Sequence, residues 1–565
     1  MSDSLNVHFM PGDGKGWALD EDRRQMRQAL AGIIEESSLV SAKIIHTPFW
    51  QGLNTVAPEI LKKAFVIAHA DNPPFFYLKQ PEFLLGQQQV DLWIARSQEA
   101  LEQFRALQLP VEYIPYTIDP QLFFPIVDKK KLRKKFGIPE EAYVIANFHR
   151  DTEGADLSVP KLQKAPELML AILKKLRDRG FSFHMLLAGP RRHWLRRALA
   201  HEKIPFTFVG DSSVEGDDFG VNILDRSTLN ELTNAADLYL IPSRWEGGPQ
   251  SVMEAAACQC KILSTPLGVA KDILEHASLY RSVSEAVTRI AEDIQYNCLK
   301  KTLQPQWERW QQSHTTASMV EGLQQLYKTL SPKKSLHQTS WIQLQKKQIF
   351  YTVQRRFCSS SLPEVVGWNH QPGKNADLDE VLLRVGSALR TLGISVCPAT
   401  GRGVEFIGWP TDALSPIQEG SHRLQWIVPR MPTSCLLQES SFITPSVQDV
   451  INLRASGFLN PALVIPFPLA GGERSEEPFA VNEGDSLASM SIWRAMAAGR
   501  PIVYPKKSAY YEQVFHGGFA FENDEDIPRL LKIAQEEVQQ LRMLTNIPSR
   551  ASAQKTLKQL LENLF

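Results

Sequence analysis

Cysteine is scarce in this chain: six among 565 residues, at Cys258, Cys260, Cys298, Cys358, Cys397 and Cys435, none in a CxxC spacing. That argues against a disulfide framework and against a zinc site of paired thiolates. Cys258 and Cys260 sit in an apolar stretch and are expected to be small buried residues. No run of about 18 apolar residues occurs, so no segment is expected to span a bilayer. The opening MSDSLNVHFM lacks the basic patch and apolar run of a secretory signal. Net charge is absent too, with 62 Lys+Arg against 62 Asp+Glu. A balanced chain does not announce a nucleic-acid partner. The simplest expected setting is a reducing cytoplasm, with a peripheral position at the inner face of the membrane left open.

What is present is ordinary globular chemistry, 43% hydrophobic and 22% charged, in a chain far too long for one core. Short β-rich runs alternate with helical patterns: KIIHTPF, AFVIAHA, DLWIARS and VEYIPY, then YVIANFH, FHMLLAG, FTFVG, ADLYLIPS and KILSTP. Short apolar runs between helices predict parallel strands covered on both faces. The expected domains are residues 1–125 and 126–330, each Rossmann-like. Residues 331–362 read as a linker, SPKKSLHQ, and a basic helix, WIQLQKKQIFYTVQRRF. That helix is expected to pack onto a domain rather than lie on an anionic membrane.

The second half echoes the first. DLWIARSQEALEQFRALQLPVEYIPY, from Asp91, matches SSFITPSVQDVINLRASGFLNPALVIPF, from Ser440. SVMEAAACQCKILSTPLGVAKDIL, from Ser251, matches SIWRAMAAGRPIVYPKKSAYYEQV, from Ser491. The pattern predicts duplication of a two-domain unit: residues 363–470 as a second N-domain-like unit and 471–565 as a shortened, degenerate donor-domain-like unit.

The segment PSRWEGGPQSVMEAAA, Pro242 to Ala257, carries the chemistry. A strand precedes it, Gly247 and Gly248 give a loop without bulk, and Pro249 suits a helix start. The free N–H groups of that helix favour a phosphate or a sugar hydroxyl. Glu246 in the loop and Glu254 on the helix suit hydroxyl recognition, because an ionised carboxylate accepts from two O–H groups.

This Glu-x7-Glu pattern resembles the donor signature of retaining GT-B glycosyltransferases of the group 1, or family 4, type. IPYTIDPQLFFP, LLAGP, STPLGVAKDIL, GDGKGWALDE and NFHRDTEGADLSVPKLQKAPEL resemble other landmarks of that family in order, over about residues 5–330. The resemblance implies two Rossmann-like domains facing across a cleft, followed by a second degenerate Rossmann-like pair. It implies a nucleotide-sugar donor, with Glu254 on the ribose, Glu246 on hydroxyls of the transferred sugar, and Gly247 and Gly248 admitting the ligand to the backbone. Arg150 and Lys164 would neutralise the diphosphate, with Lys161 as the alternative to Lys164. Gly16, with Gly12 and Gly14, would form the first glycine-rich loop, or simply a turn. His69 would stand near the transferred sugar, in a catalytic role with Glu246, or be a hydrogen-bonded structural histidine. Gln259 departs from the family's usual glycine and Lys271 from its usual acidic residue or proline.

The implied activity is sugar transfer to a glycan, lipid-linked or small-molecule acceptor, with retention, no metal and no cofactor. In the second unit Ser486 takes the place of Glu246 and Arg494 that of Glu254, so both carboxylates are lost; Glu483, Gly484 and Asp485 lie just upstream. Epimerisation of a nucleotide sugar, or a non-catalytic sugar-binding scaffold, are the alternatives on this fold. A homo-oligomer is left open.

Overall fold

The computed structural model describes residues 5–12, 18–330, 362–411, 414–418, 422–427, 431–437, 440–444, 447–465, 476–481, 495–496, 498–506, 518–538, 541 and 555–561. The basic helix expected within 331–362, Gly14, Gly16, Glu483, Gly484, Asp485, Ser486 and Arg494 lie outside the described residues.

The first sheet holds β1 (Leu5–Phe9), β2 (Ile34–Glu36), β3 (Ile44–Thr47), β4 (Phe65–His69), β5 (Leu92–Ala95) and β6 (Val111–Tyr113), all parallel, in the order β2-β1-β3-β4-β5-β6. Every residue of β3 and β4 is buried, because helices cover both faces. On one face Met26 and Leu30 of the Ala18–Leu30 helix pack with Met319, Leu323 and Tyr327. Those three belong to the Thr316–Thr329 helix, which follows the second sheet in sequence and crosses back to the first. On the other face Trp50, Tyr77, Phe83, Trp93 and Phe104 form an aromatic layer.

The second sheet holds β7 (Val144–Asn147), β8 (His184–Ala188), β9 (Phe206–Val209), β10 (Leu238–Ile241) and β11 (Lys261–Ser264), parallel, in the order β11-β10-β7-β8-β9. The apolar runs read as strands in the sequence are thus β3 to β11. Cys258 and Cys260 are buried as expected, at 3% and 5% exposure.

A third parallel sheet holds β12 (Val365–Asn369), β13 (Ser395–Pro398), β14 (Val404–Ile407), β15 (His422–Trp426), β16 (Ser441–Thr444) and β17 (Ala462–Val464). Its order, β13-β12-β14-β15-β16-β17, is that of the first sheet strand for strand. Register agrees as well. Trp93 pairs with Val111 in the first sheet, and Phe442 with Ala462 in the third. A short parallel sheet of β18 (Phe479–Ala480), β19 (Ile502–Pro505) and β20 (Gly518–Phe521) follows.

Candidate functional site

The segment after β10 is fixed from beneath before it reaches Glu246. Thr265 Oγ1 donates to the Ser243 carbonyl at 2.6 Å, and the Arg244 N–H donates to the Gln163 carbonyl at 2.9 Å. The Arg244 side chain ion-pairs with Glu167 and donates to the Leu162 carbonyl at 3.0 Å. These bonds lock residues 162–167 onto 243–246, and so deliver Lys164 to Glu246. The Lys164 ammonium and the Ser243 hydroxyl, the latter at 2.9 Å, both donate to Glu246 Oε1. Glu246 is 7% exposed, and these two donors satisfy that oxygen.

Lys161, the alternative cation, instead pairs with Glu153 at 3.1 Å. Burial, then the nearby Arg150, hold its ammonium below the usual lysine range, against the pull of Glu153. Arg150 is half-buried in the loop after β7, beside Lys161.

The helix of the motif runs Gln250–Ala257, with Pro249 as its N-cap residue rather than in the first turn. Glu254 receives Arg226 Nη1 at 3.4 Å. Burial pushes the Glu254 carboxyl up and the Arg226 charge pulls it partly back. Ser251 bonds His149 Nε2 at 2.7 Å. Burial, then Lys164 and Arg192, keep that imidazole well below its usual pKa, so His149 is neutral beside the cations.

Gly247 and Gly248 are required where they stand. A β-carbon on Gly247 would overlap the Asp71 carbonyl, and one on Gly248 would overlap the Tyr116 ring. Gly268, at φ 46°, lies against the Gly247 carbonyl in turn. The glycines therefore admit the first domain to the motif backbone. Between the domains runs a cleft lined by Glu21, Asp22 and Gln25 on one side and Arg226 and Gln250 on the other, with Asp119 also in its lining.

Next to the glycines the domains are clasped reciprocally. Glu99 accepts the Gly268 N–H at 2.7 Å and Lys271 Nζ at 2.9 Å. Asp272 accepts the Gln98 N–H at 3.0 Å and the Tyr113 hydroxyl at 3.5 Å. Gln98 opens the Gln98–Ala106 helix, whose first N–H groups have no intrahelical acceptor, so a carboxylate there satisfies an orphan donor. Lys271, a departure from the family pattern, is thereby explained by Glu99.

His69 ends β4 but does not line the cleft. It is 1% exposed, and its Nε2 is bonded to His46 Nε2 at 2.8 Å. Asp22, which the sequence did not single out, lines the cleft beside it. Gly12 precedes the Ala18–Leu30 helix, and a β-carbon on it would overlap Asp20. The structure thus brings Glu246, Lys164, Gly247 and Gly248 to one loop, with Glu254 one helix further on. Asp22, Glu99, His149, Arg226 and Asp272 were missed. Only His149, adjacent to Arg150 in NFHRD, carried a local signal.

Residues 157–295 match the family model described as glycosyl transferases group 1. No curated protein matches the chain. Similar solved structures include HepE of Anabaena in complex with UDP-glucose, 14% identical over 58% of this chain and 100% of that one, with a TM-score of 0.46. Sucrose-phosphate synthase of Thermosynechococcus elongatus is 15% identical over 54% of this chain and 77% of that one, with a TM-score of 0.41. A glycosyltransferase of Rickettsia africae is 12% identical over 58% and 98%, with a TM-score of 0.40. No described helix is long and apolar enough to cross a membrane. Two parallel Rossmann-like sheets facing across a cleft form a GT-B architecture, and residues 157–295 of its second domain are similar to glycosyl transferases group 1.

Proposed function

We propose that residues 1–330 transfer a sugar from a nucleotide-sugar donor to a glycan, lipid-linked or small-molecule acceptor, with retention and without a metal. The observation that carries this is the Lys164–Glu246 pair beneath the motif loop, at the head of the helix that bears Glu254. Glu246, held on one oxygen, has its other oxygen for sugar hydroxyls. Glu254 takes the ribose. Departure of a nucleoside diphosphate builds negative charge, and Lys164, Arg150 and the helix N-terminus are fixed positive groups for it. Retention needs no protein nucleophile when the leaving phosphate takes the acceptor's proton on the same face. The 1–125 domain then supplies the acceptor side, and 126–330 the donor side. Residues 363–470 and 471–565 are read as a second, non-catalytic copy, because in the sequence repeat Ser486 takes the place of Glu246 and Arg494 that of Glu254.

Nucleotide release from UDP-, GDP- and ADP-sugars tests this. One donor should be turned over, and Glu246→Gln and Glu254→Gln should each lose about 10–150-fold, the worth of a charged hydrogen bond. Absence of both turnover and calorimetric binding for every donor would sink the reading.

A further inference from the structure

Arg226 is a positive charge at the wrong end of a helix. Asp225 caps the Arg226–Ala235 helix, its carboxylate accepting the Thr228 N–H at 2.8 Å, so Arg226 is the first helical residue. The helix dipole puts positive partial charge there, which disfavours a cation. The guanidinium stands at the cleft all the same, where it lines one wall with Gln250. Its Nη1 reaches Glu254 Oε1 at 3.4 Å, and Glu254 is its one hydrogen-bond partner among the described residues. It also acts in charge on Glu21, across the cleft, but Glu21 is already held by Arg24 Nε at 2.9 Å and Gln25 Nε2 at 2.7 Å. Arg226 is therefore left to Glu254.

Glu254 in turn has no other cation to hold it among the described residues. Its side chain is 16% exposed, against 34% for Arg226, so the pair sits at the cleft wall with the carboxyl on the inner side. It stands in the second turn of the Gln250–Ala257 helix, past the first turn in which a helix N-terminus favours a carboxylate. Tyr239 on β10 and Cys258 at the end of the helix are the other titratable groups that interact with it. Burial pushes both of them up, so neither carries charge. For Glu254, burial favours the protonated carboxyl and Arg226 alone opposes it. The two forms do different chemistry. A carboxylate accepts on both oxygens, whereas a protonated carboxyl is a donor on one of them. Two neighbouring hydroxyls that both donate, as those of a ribose can, need the first form.

We propose that Arg226 is a positioning residue that keeps both oxygens of Glu254 as acceptors for the paired hydroxyls of a nucleoside, and so sets how far into acid this site holds a nucleotide. The nucleoside rests on the glycosyl-transfer reading; the hold of Arg226 on Glu254 does not. The 3.4 Å contact engages only Oε1, and the guanidinium lies along the cleft wall rather than beneath the motif loop, where Lys164 does the corresponding work for Glu246.

Two measurements on the full chain test this. The first is the titration of Glu254 itself, followed by carbon-13 in the glutamate carboxyls and assigned by loss of its signal in Glu254→Gln. Its midpoint should be higher in Arg226→Gln than in wild type, and should return towards wild type in Arg226→Lys, which restores the charge. Coincident midpoints in Arg226→Gln and wild type overturn the proposal. The second is calorimetric affinity for UDP, GDP and ADP between pH 5 and 8. Against wild type, Arg226→Gln should bind the recognised nucleotide about tenfold more weakly at the acid end and within about twofold at pH 8. Arg226→Lys should follow wild type across the range. A loss of one size at every pH would mean that Arg226 touches the nucleotide or only shapes the cleft, and overturns the proposal, as does a profile that Arg226→Gln leaves unchanged. If Glu254→Gln binds weakly while the Arg226→Gln profile matches wild type, the role of Arg226 falls and the transferase reading stands. If none of the three nucleotides binds, the transferase reading falls and takes the nucleoside with it, while the titration of Glu254 still decides whether Arg226 holds it.

Discussion

At the scale of single residues, two glutamines show how closely the halves correspond. Gln259 closes the motif helix in the left-handed region, at φ 52°, with Cys260 N–H bonded back to the Ala255 carbonyl at 2.9 Å. Gly499, its counterpart, sits at φ 71°, with Arg500 N–H to the Ala495 carbonyl at 3.0 Å. Gln108, at φ 53°, likewise corresponds to Gly457, at φ 85°. These are Schellman closures, which favour glycine because a side chain clashes in that conformation. The strain of an L-residue there is about 1–2 kcal/mol, and glycine's freedom in the unfolded chain offsets part of the relief. Gln259→Gly should therefore stabilise the first half by about 0.5–1 kcal/mol, read as a higher urea midpoint. Gly499→Gln should lower that of the second. A fall in midpoint for Gln259→Gly would mean that its side chain makes a contact worth more than the strain.

At the scale of elements, the clasp between the Gln98–Ala106 helix and the loop from Gly268 to Asp272 should respond to pH. Burial pushes the Asp272 carboxyl up to about 6, Glu99 adds to the rise, and the Gln98 N–H and Lys271 oppose it. Its pKa is thus higher in the closed, folded state than in the unfolded chain. The stability it lends is complete below about pH 4 and is lost as pH rises through about 6. Differential scanning calorimetry of wild type against Asp272→Asn isolates this. The variant should gain on wild type between pH 4 and 7, because an amide keeps the carbonyl acceptor without the charge. A constant difference across that range would show that Asp272 does not titrate in the clasp.

The same contrast explains what was legible in the sequence. Strands such as AFVIAHA and ADLYLIPS were legible because burial on both faces leaves a short apolar run. The motif was legible because its glycines, proline and two carboxylates sit within Pro242 to Ala257. Glu99 with Lys271, Asp22 with Arg96, and Arg226 with Glu254 were not, since each pair joins segments far apart and no local period marks them. The sequence put Lys164 ahead of Lys161 only by its place at the start of a helix; the Arg244–Glu167 pair, which draws Lys164 and not Lys161 to Glu246, exists only in the fold.

At the scale of the molecule, the halves meet through corresponding elements. One apolar cluster contains Trp93, Phe104 and Leu101 together with Phe442, Leu453 and Val450, and these are matched pairs in the repeat. The interface is therefore close to the isologous contact of a two-fold dimer, here joined by one chain. β17 is an edge strand, and an edge left open is a site for association with other chains. Gln87 closes it: its amide donates to the Ala462 carbonyl at 3.2 Å and accepts the Ala462 N–H at 3.4 Å. Gln108 donates to the Arg454 carbonyl at 3.0 Å beside it, and Lys175 pairs with Glu537 at 2.8 Å between the second and fourth sheets' helices. A shared core of this kind should hold without the connection. With a protease site placed among residues 331–361 and cut in the folded protein, the fragments should elute together at the mass of the intact chain. Gln87→Ala leaves the two backbone groups of Ala462 unpaired, at about 1–3 kcal/mol, so cut Gln87→Ala should separate at lower urea than cut wild type. Fragments that part in plain buffer would instead make the linker, not the shared face, the tie between the halves.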